Sequence, residues 1–232
     1  MNPSKHKEPA VTTIQLFSAK ACPFAHRTRL VLAEKGIPFA LHEIDLQNKP
    51  AHFLAASAYG KVPAIEHDGV HLYESAVINE YLDEAFPEPR LLPREAARRA
   101  LARIWIDYAN TRFVQVYGAL LRVPSGDAEP AARAALNESL AFLEREGLGK
   151  LSKTGPYFFG ETISLVDLTF YPWFERLPAL THYRAYAIPA ELTRLVAWRD
   201  AVAARDSAKA HWNPTEYYIE RYSRFVKPAA AA

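Results

Sequence analysis

Over roughly the first 85 residues, short apolar runs alternate with helical periods; after that only helical periods follow. TTIQLF (Thr12 to Phe17) is apolar enough for a buried strand, and FALHEID (Phe39 to Asp45) alternates like a second one. Between them PFAHRTRLVLAEKG has helical spacing, with Pro23 at its first position and Gly36 past its end. Strand, helix and strand make a right-handed βαβ unit if the two strands run parallel. An irregular helical piece is expected near residues 50–58. VPAIEHDGVHLYES then reads as a hairpin turning at HDG, and Ser75 is placed to cap the helix AVINEYLDEAF. The pattern predicts a parallel pair joined to an antiparallel edge.

FPEPRLLP (Phe86 to Pro93) holds three prolines in eight residues and reads as an extended linker. Beyond it, residues 94–121 show helical periodicity through Leu101, Ile104, Trp105, Tyr108 and Arg112. EPAARAALNESLAFLEREG, SLVDLTFYPWFERL, PAELTRLVAWRDAVAAR and NPTEYYIERYSRFV supply further helices, so the second half is predicted to be all-α. Ser164 and Asp167 form a capping box ahead of one of them, a structural rather than a chemical feature. The expected limits are an α/β domain over 11–86, a linker over 87–93 and a helical domain over 94–228. A disordered start and a frayed PAAAA end are also expected.

Composition narrows the function. The 232 residues are 50% hydrophobic, which is enough for a substantial core, and 28 Lys+Arg face 26 Asp+Glu. No long basic run appears, which argues against nucleic acid as a partner. No apolar run approaches the roughly 20 residues that cross a bilayer. The polar start MNPSKHKEPA lacks the apolar region of a signal peptide. One cysteine in the chain cannot form an internal disulfide, which fits a reducing cytoplasm.

That cysteine, Cys22, precedes a proline at a predicted strand-to-helix seam. A helix N-terminus favours the thiolate, because its first N–H groups have no intrahelical partner and the macrodipole places positive charge there. His26 and Arg27, within one turn, are expected to add positive potential. On this motif alone, a reactive thiol and a plain buried cysteine are both open readings. The fourth position of a C-x-x-C motif starting at Cys22 is Ala25, so a dithiol redox site is excluded and any redox cycle must use an external thiol.

With CPFAHR upstream, GKVPAIEHDGVHLYES resembles the cytosolic glutathione transferases, whose N-terminal domain is thioredoxin-like and whose C-terminal domain is all-α. NKPAHFL, YLDEAFP, LLP and SLVDLTFYPWFERL extend the resemblance over nearly the whole chain. Cysteine in place of Tyr or Ser, together with PWFERL, points to the omega-like branch, and RLVAWRDAV to its bacterial members. The resemblance implies a cis peptide bond at Pro63, which leaves the Val62 backbone free to pair with the cysteinyl part of glutathione. It implies that Glu74 meets the γ-glutamyl ammonium and that Ser75, with the helix N-terminus behind it, meets the carboxylate. Lys49 matches the position that reaches the glycyl carboxylate, and Phe24 is expected to line the thiol pocket.

The activity implied is a monothiol cycle. Cys22 attacks a glutathione mixed disulfide, or a thioether carbon activated by a carbonyl, and a second glutathione releases it. Thioltransferase, dehydroascorbate reductase and thioether-cleaving activities are all consistent with this. Glutathione is the expected co-substrate, and no metal is expected. The acceptor is expected to be small and hydrophobic or electrophilic, bound between the domains near Tyr108, Arg112, Trp173, Arg176, Trp212 and Tyr218. Arg176 is expected to hold an anionic group there. A homodimer is expected, without nucleic-acid or membrane partners. The alternatives are a ligand carrier on the same fold, a conjugating transferase and a relative of chloride-channel proteins with a similar CPF motif.

Overall fold

The computed structural model describes residues 13–124 and 126–226. The predicted disordered start and frayed end fall largely outside those residues. A four-stranded sheet in the order β2-β1-β3-β4 is built from β1 (Ile14–Ser18), β2 (Phe39–Glu43), β3 (Ala64–His67) and β4 (Val70–Tyr73). β1 pairs parallel with β2, Ile14 opposite Phe39. It pairs antiparallel with β3, Leu16 opposite Ile65. The β3–β4 hairpin turns through Asp68 (φ 51°) and Gly69 (φ 76°), the two positive φ values that a tight hairpin of matching twist requires. The parallel pair with an antiparallel edge is thus as predicted.

Helices α1 (Pro23–Glu34), α2 (Ala51–Ala56) and α3 (Ser75–Ala85) complete this half. The helical half comprises α4 (Ala96–Tyr108), α5 (Val114–Arg122), α6 (Glu129–Phe142), α7 (Gly149–Leu151), α8 (Leu165–Glu175), α9 (Leu177–Arg184), α10 (Thr193–Ala203), α11 (Asp206–His211) and α12 (Thr215–Tyr222). The short α9 and α11 carry too few periods to be read from the sequence. The stretch expected as one helix over 94–121 is interrupted by a wider π turn at Ala109–Phe113. Its buried face runs through Ala102, Trp105, Ala109, Phe113 and Tyr117, while Leu101 and Ile104 face outward. Apolar spacing gave the helix correctly and its inner face only in part.

α1 lies between the sheet and the helical half and packs on α3, α8 and α11. Its C-terminal end is tied to the other half by Glu34, which accepts from Arg205 Nε and Nη2, both at 2.6 Å. The proline-rich connection is anchored instead of hanging free. The Asp83 carboxylate accepts from Leu91 N–H (2.7 Å), Leu92 N–H (3.0 Å) and Lys35 Nζ (2.9 Å). Ser164 and Asp167 form the expected capping box. Asp167 also accepts from Phe158 N–H (3.0 Å) and the Trp198 indole (2.8 Å), so it anchors the core around α8 as well. Burial pushes the Asp167 carboxyl up, and these hydrogen bonds oppose that shift.

Candidate active site

Cys22 caps α1. Its N–H closes a turn onto Ala19 O (2.9 Å), its carbonyl accepts from His26 N–H (3.0 Å), and Pro23 occupies the first helical position. Pro23 has no N–H, and the next amides are those of the first turn, which have no intrahelical partner. The thiol is partly buried, and Sγ lies 3.7 Å from the carbonyl oxygen of Val62. The Val62–Pro63 bond is cis, as the resemblance implied.

The loop leading to Cys22 is held by two buried arginines. Arg29 donates to Ser18 Oγ, Ala19 O (3.5 Å) and Lys20 O (3.2 Å). Arg176, arriving from the end of α8 with 0% exposure, donates from Nε and Nη2 to Ala21 O, both at 3.4 Å. The helical half therefore grips the backbone next to the thiol. Arg176 Nη1 also donates to Pro172 O (2.7 Å) and to His26 Nδ1 (3.0 Å). A guanidinium only donates, so Nδ1 must be the acceptor nitrogen of a neutral imidazole. Burial first, then the Arg176 and Arg29 charges, hold His26 well below its usual pKa. His26 is therefore uncharged, contrary to expectation, because two arginines already occupy its surroundings. Arg27 does keep its charge: burial lowers its pKa only to about 9. It donates to Thr169 O (2.8 Å), Asn110 Oδ1 (2.6 Å) and Ser75 Oγ (3.4 Å), and stacks on Trp173 and Phe24. The π turn carries Asn110, which meets that guanidinium.

A cleft of about 120 Å³ lies on the sheet side, lined by Phe24, Ser57, Tyr59, Lys61, Val62, Pro63, Tyr73, Glu74 and Ser75. It brings together Phe24, Val62, Pro63, Glu74 and Ser75 from the sequence reading. Glu74 has φ 72° and ψ 110°, a conformation that costs an L-residue roughly 1–3 kcal/mol and that recurs at ligand-binding positions. It occupies the cap position of α3. Ser75 is the first helical residue and makes no capping bond, a correction to the expected N-cap. Lys49 is exposed and outside the lining, but its Nζ lies beside Gly60, between the lining residues Tyr59 and Lys61. Lys61 was missed, although it directly precedes the Val-Pro motif.

A second cavity of about 310 Å³ opens on the other side of Cys22. Cys22, Phe24 and Trp173 line it with Leu46, Val114, Tyr117, Gly118, Leu121, Arg122, Arg221, Tyr222, Arg224 and Phe225. Of the six residues expected around an acceptor, only Trp173 is here. Tyr108 turns into the helical bundle and shares a hydrogen bond with Ser139 Oγ (2.8 Å). Arg112 is exposed on the π turn. Arg176 is sealed behind the Cys22 loop with its face over the Tyr218 ring, where no substrate reaches it. Tyr218 is fully buried and donates to Glu175. Trp212 lines a different cavity with Tyr171, Phe174 and Arg199. The cavity's actual wall, from α5 and the RYSRF end of α12, had one signal in the sequence: aromatics alternating with arginines.

Family models for the N-terminal and C-terminal domains of glutathione S-transferases match residues 21–85 and 94–201. The chain belongs to the glutathione S-transferase family. Glutathione S-transferase omega-1 of Mus musculus is 30% identical over 94% of this chain and 88% of its own. The crystal structure of glutathione transferase Omega 3C from Trametes versicolor is 32% identical, with a TM-score of 0.83 over 95% of this chain and 92% of that one. The dehydroascorbate reductase of Chlamydomonas reinhardtii is 30% identical, with a TM-score of 0.75 over 94% of this chain and all of that one. A glutathione transferase of this family uses glutathione as co-substrate, and the two-part architecture is the family's own. Among the described residues no group of three or more His, Cys, Asp and Glu side chains is arranged to hold a metal ion. No described helix is long and apolar enough to cross a membrane.

Ser18, the hydroxyl nearest upstream of Cys22, is 0% exposed and accepts from Arg29. It is engaged away from either cavity, whereas the Cys22 thiol lines one of them.

Proposed function

We propose that the protein is a glutathione-dependent thioltransferase of omega-like, cysteine type, working through a Cys22–glutathione mixed disulfide. The observation that carries this reading is the position of Cys22 at the N-terminus of α1, between a polar cleft and an apolar cavity. Glutathione would lie along the cleft, its cysteinyl backbone pairing with Val62, its γ-glutamyl ammonium on Glu74 and its carboxylate on Ser75 and the start of α3. Lys49 and Lys61 stand toward its glycyl carboxylate. The Cys22 thiolate attacks the glutathionyl sulfur of a mixed disulfide, and the other half leaves as a thiolate with the electron pair. A second glutathione thiolate then attacks the Cys22 disulfide and releases oxidised glutathione. The same nucleophile supports reduction of dehydroascorbate, the activity named for the Chlamydomonas relative.

Domain limits of 11–86, 87–93 and 94–228 accord with a sheet half whose last helix ends at Ala85 and a helical half that begins at Ala96. A homodimer is part of this reading, supported by Val77, Leu101 and Ile104, which are 58%, 38% and 60% exposed. So is a cytoplasmic location, supported by the single free cysteine.

The test is turnover of the glutathione–2-hydroxyethanethiol mixed disulfide by the wild type and Cys22→Ser. Activity should fall roughly 10³-fold or more, as when other covalent nucleophiles are removed. Mass spectrometry should find one glutathionyl group on Cys22 in the wild type only. Retained thioltransferase activity, or increased conjugation of glutathione to an aryl halide, would move the reading to a conjugating transferase.

A further inference from the structure

We propose that the acceptor is a flat apolar molecule carrying an anionic group, its ring held beside Cys22 and its charge held by Arg122 and Arg224. This rests on the thioltransferase reading above and names the substrate class of the same site. The inner walls of the cavity are apolar and aromatic: Phe24, Leu121, Trp173, Tyr222 and Phe225. Among the described residues no acidic one lines it, whereas Arg122, Arg221 and Arg224 do. All three arginines are exposed, and none is in an ion pair among the described residues; Arg94, Arg103, Arg145, Arg199 and Arg205 each face a carboxylate.

Two contacts locate the charges themselves. The Arg122 guanidinium folds over Gly118, so closely that a Cβ there would stand 2.6 Å from Nη2, and Gly118 is itself part of the wall. The missing side chain at Gly118 leaves room for the guanidinium there. The Arg224 guanidinium lies 4.8 Å from the Phe225 ring centre, also in the wall. Arg221 turns instead toward Tyr217, which does not line the cavity, and lies 5.6 Å from its ring centre. Tyr117 also lines the cavity, with a buried hydroxyl that has no hydrogen-bond partner among the described residues, a donor available to a polar group on the ring. Unpaired arginines beside an apolar slot recognise a carboxylate or a comparable oxyanion on an aromatic body. Arg176, expected to hold such an anion, is occupied by Ala21, Pro172 and His26.

The probe is a pair of mixed disulfides of glutathione, one with 4-sulfanylbenzoate and one with its methyl ester. In each, Cys22 forms a bond to the glutathionyl sulfur, the arenethiolate leaves with the electron pair, and a second glutathione removes the first as oxidised glutathione. The readout is the ratio of kcat/KM for acid over ester, followed by release of the arenethiolate. The wild type should favour the acid. The ratio should fall about tenfold in R122Q/R224Q, and in the wild type it should shrink as ionic strength rises. A wild type without preference for the acid, a ratio insensitive to salt, or a ratio unchanged in the variant overturns the proposal. The wild-type salt series reads the effect even where the double variant folds poorly. Loss of both substrates in Cys22→Ser alongside an unchanged ratio would keep the thioltransferase reading and remove only the anionic acceptor. Retention of both in Cys22→Ser would remove the thioltransferase reading.

Discussion

The cleft under Val62 and the cavity under Trp173 share Phe24 and meet near Cys22, but they are built from different material. The cleft comes almost entirely from one continuous stretch, residues 57–75, and the proposed glutathione reading draws largely on its backbone: the Val62 amide and carbonyl and the first amides of α3. The cavity is assembled from the loop after β1, α1, α5, α8 and the end of α12, and its character lies in side chains. A pocket made from backbone within a short stretch has a strict local motif, because cis-proline, the residue before a helix and its first turn must fall at set spacings. A pocket made where distant helices converge has no such spacing. The two sides are joined by Arg176, which reaches from α8 to the carbonyl of Ala21.

Arg176→Met gives the largest effect, since it cuts the tie between the helical half and the Cys22 loop. It strips the partners from Ala21 O, Pro172 O and His26 Nδ1. Urea unfolding should show a loss of about 2–4 kcal/mol. If the arginine also positions the Cys22 turn, kcat should drop while KM for glutathione stays near that of the wild type. An equal rise in KM would mean that the cleft, not the thiol, depends on it.

The cleft can be probed at Glu74→Gly. Relief of the positive φ should raise unfolding stability by about 1 kcal/mol. Loss of the carboxylate should raise KM for glutathione about tenfold. Stability and binding then move in opposite directions, the mark of strain retained for a ligand. A variant that loses both would show that the conformation serves folding alone.

Phe225→Ala probes the cavity. Phe225 is 38% exposed, so the truncation should affect stability little and raise KM for an aromatic acceptor roughly threefold, with KM for glutathione unmoved. A change in the glutathione constant would mean that the two sides are not separable.

The smallest effect concerns acid. Burial first, then the Arg29 charge, lowers His211 to about 4. An unfolded histidine binds its proton near 6.5, so between these values the unfolded state holds more protons and stability rises with pH. The contribution is present above about 6.5 and is lost as pH falls toward 4. In melting curves taken across that window, His211→Gln should lose less stability than the wild type. His26, lowered in the same direction, should leave the variant a residual slope of the same sign.

Much of the sheet half was readable. Pro23 and Gly36 bracket α1, HDG marks the hairpin, and period-two alternation finds β2. The cleft residues followed from the resemblance to glutathione transferases, carried by the Val-Pro and Glu-Ser motifs. The residues named around the acceptor fared differently, since Tyr108, Arg112, Arg176, Trp212 and Tyr218 all lie elsewhere. Each was chosen as an aromatic or a cation on an expected helix, and periodicity says that a side chain faces inward without saying toward what. The π turn at Ala109–Phe113 changes that facing midway along a continuous helix, with no proline or glycine to announce it.

Residue order alone was enough to specify the strand-helix-strand unit, the thiol at the start of α1 and the absence of a second cysteine, and the motifs shared with glutathione transferases pointed to the cleft. All of these depend on neighbours within a few tens of residues. The charge state of His26, the burial of Arg176 and the arginine-edged slot beside Cys22 arose when α1, α5, α8 and α12 came together. A buried group's ionisation, and the chemistry a cavity offers, depend on which atoms lie within a few ångströms, and those atoms come from segments 150 or more positions apart.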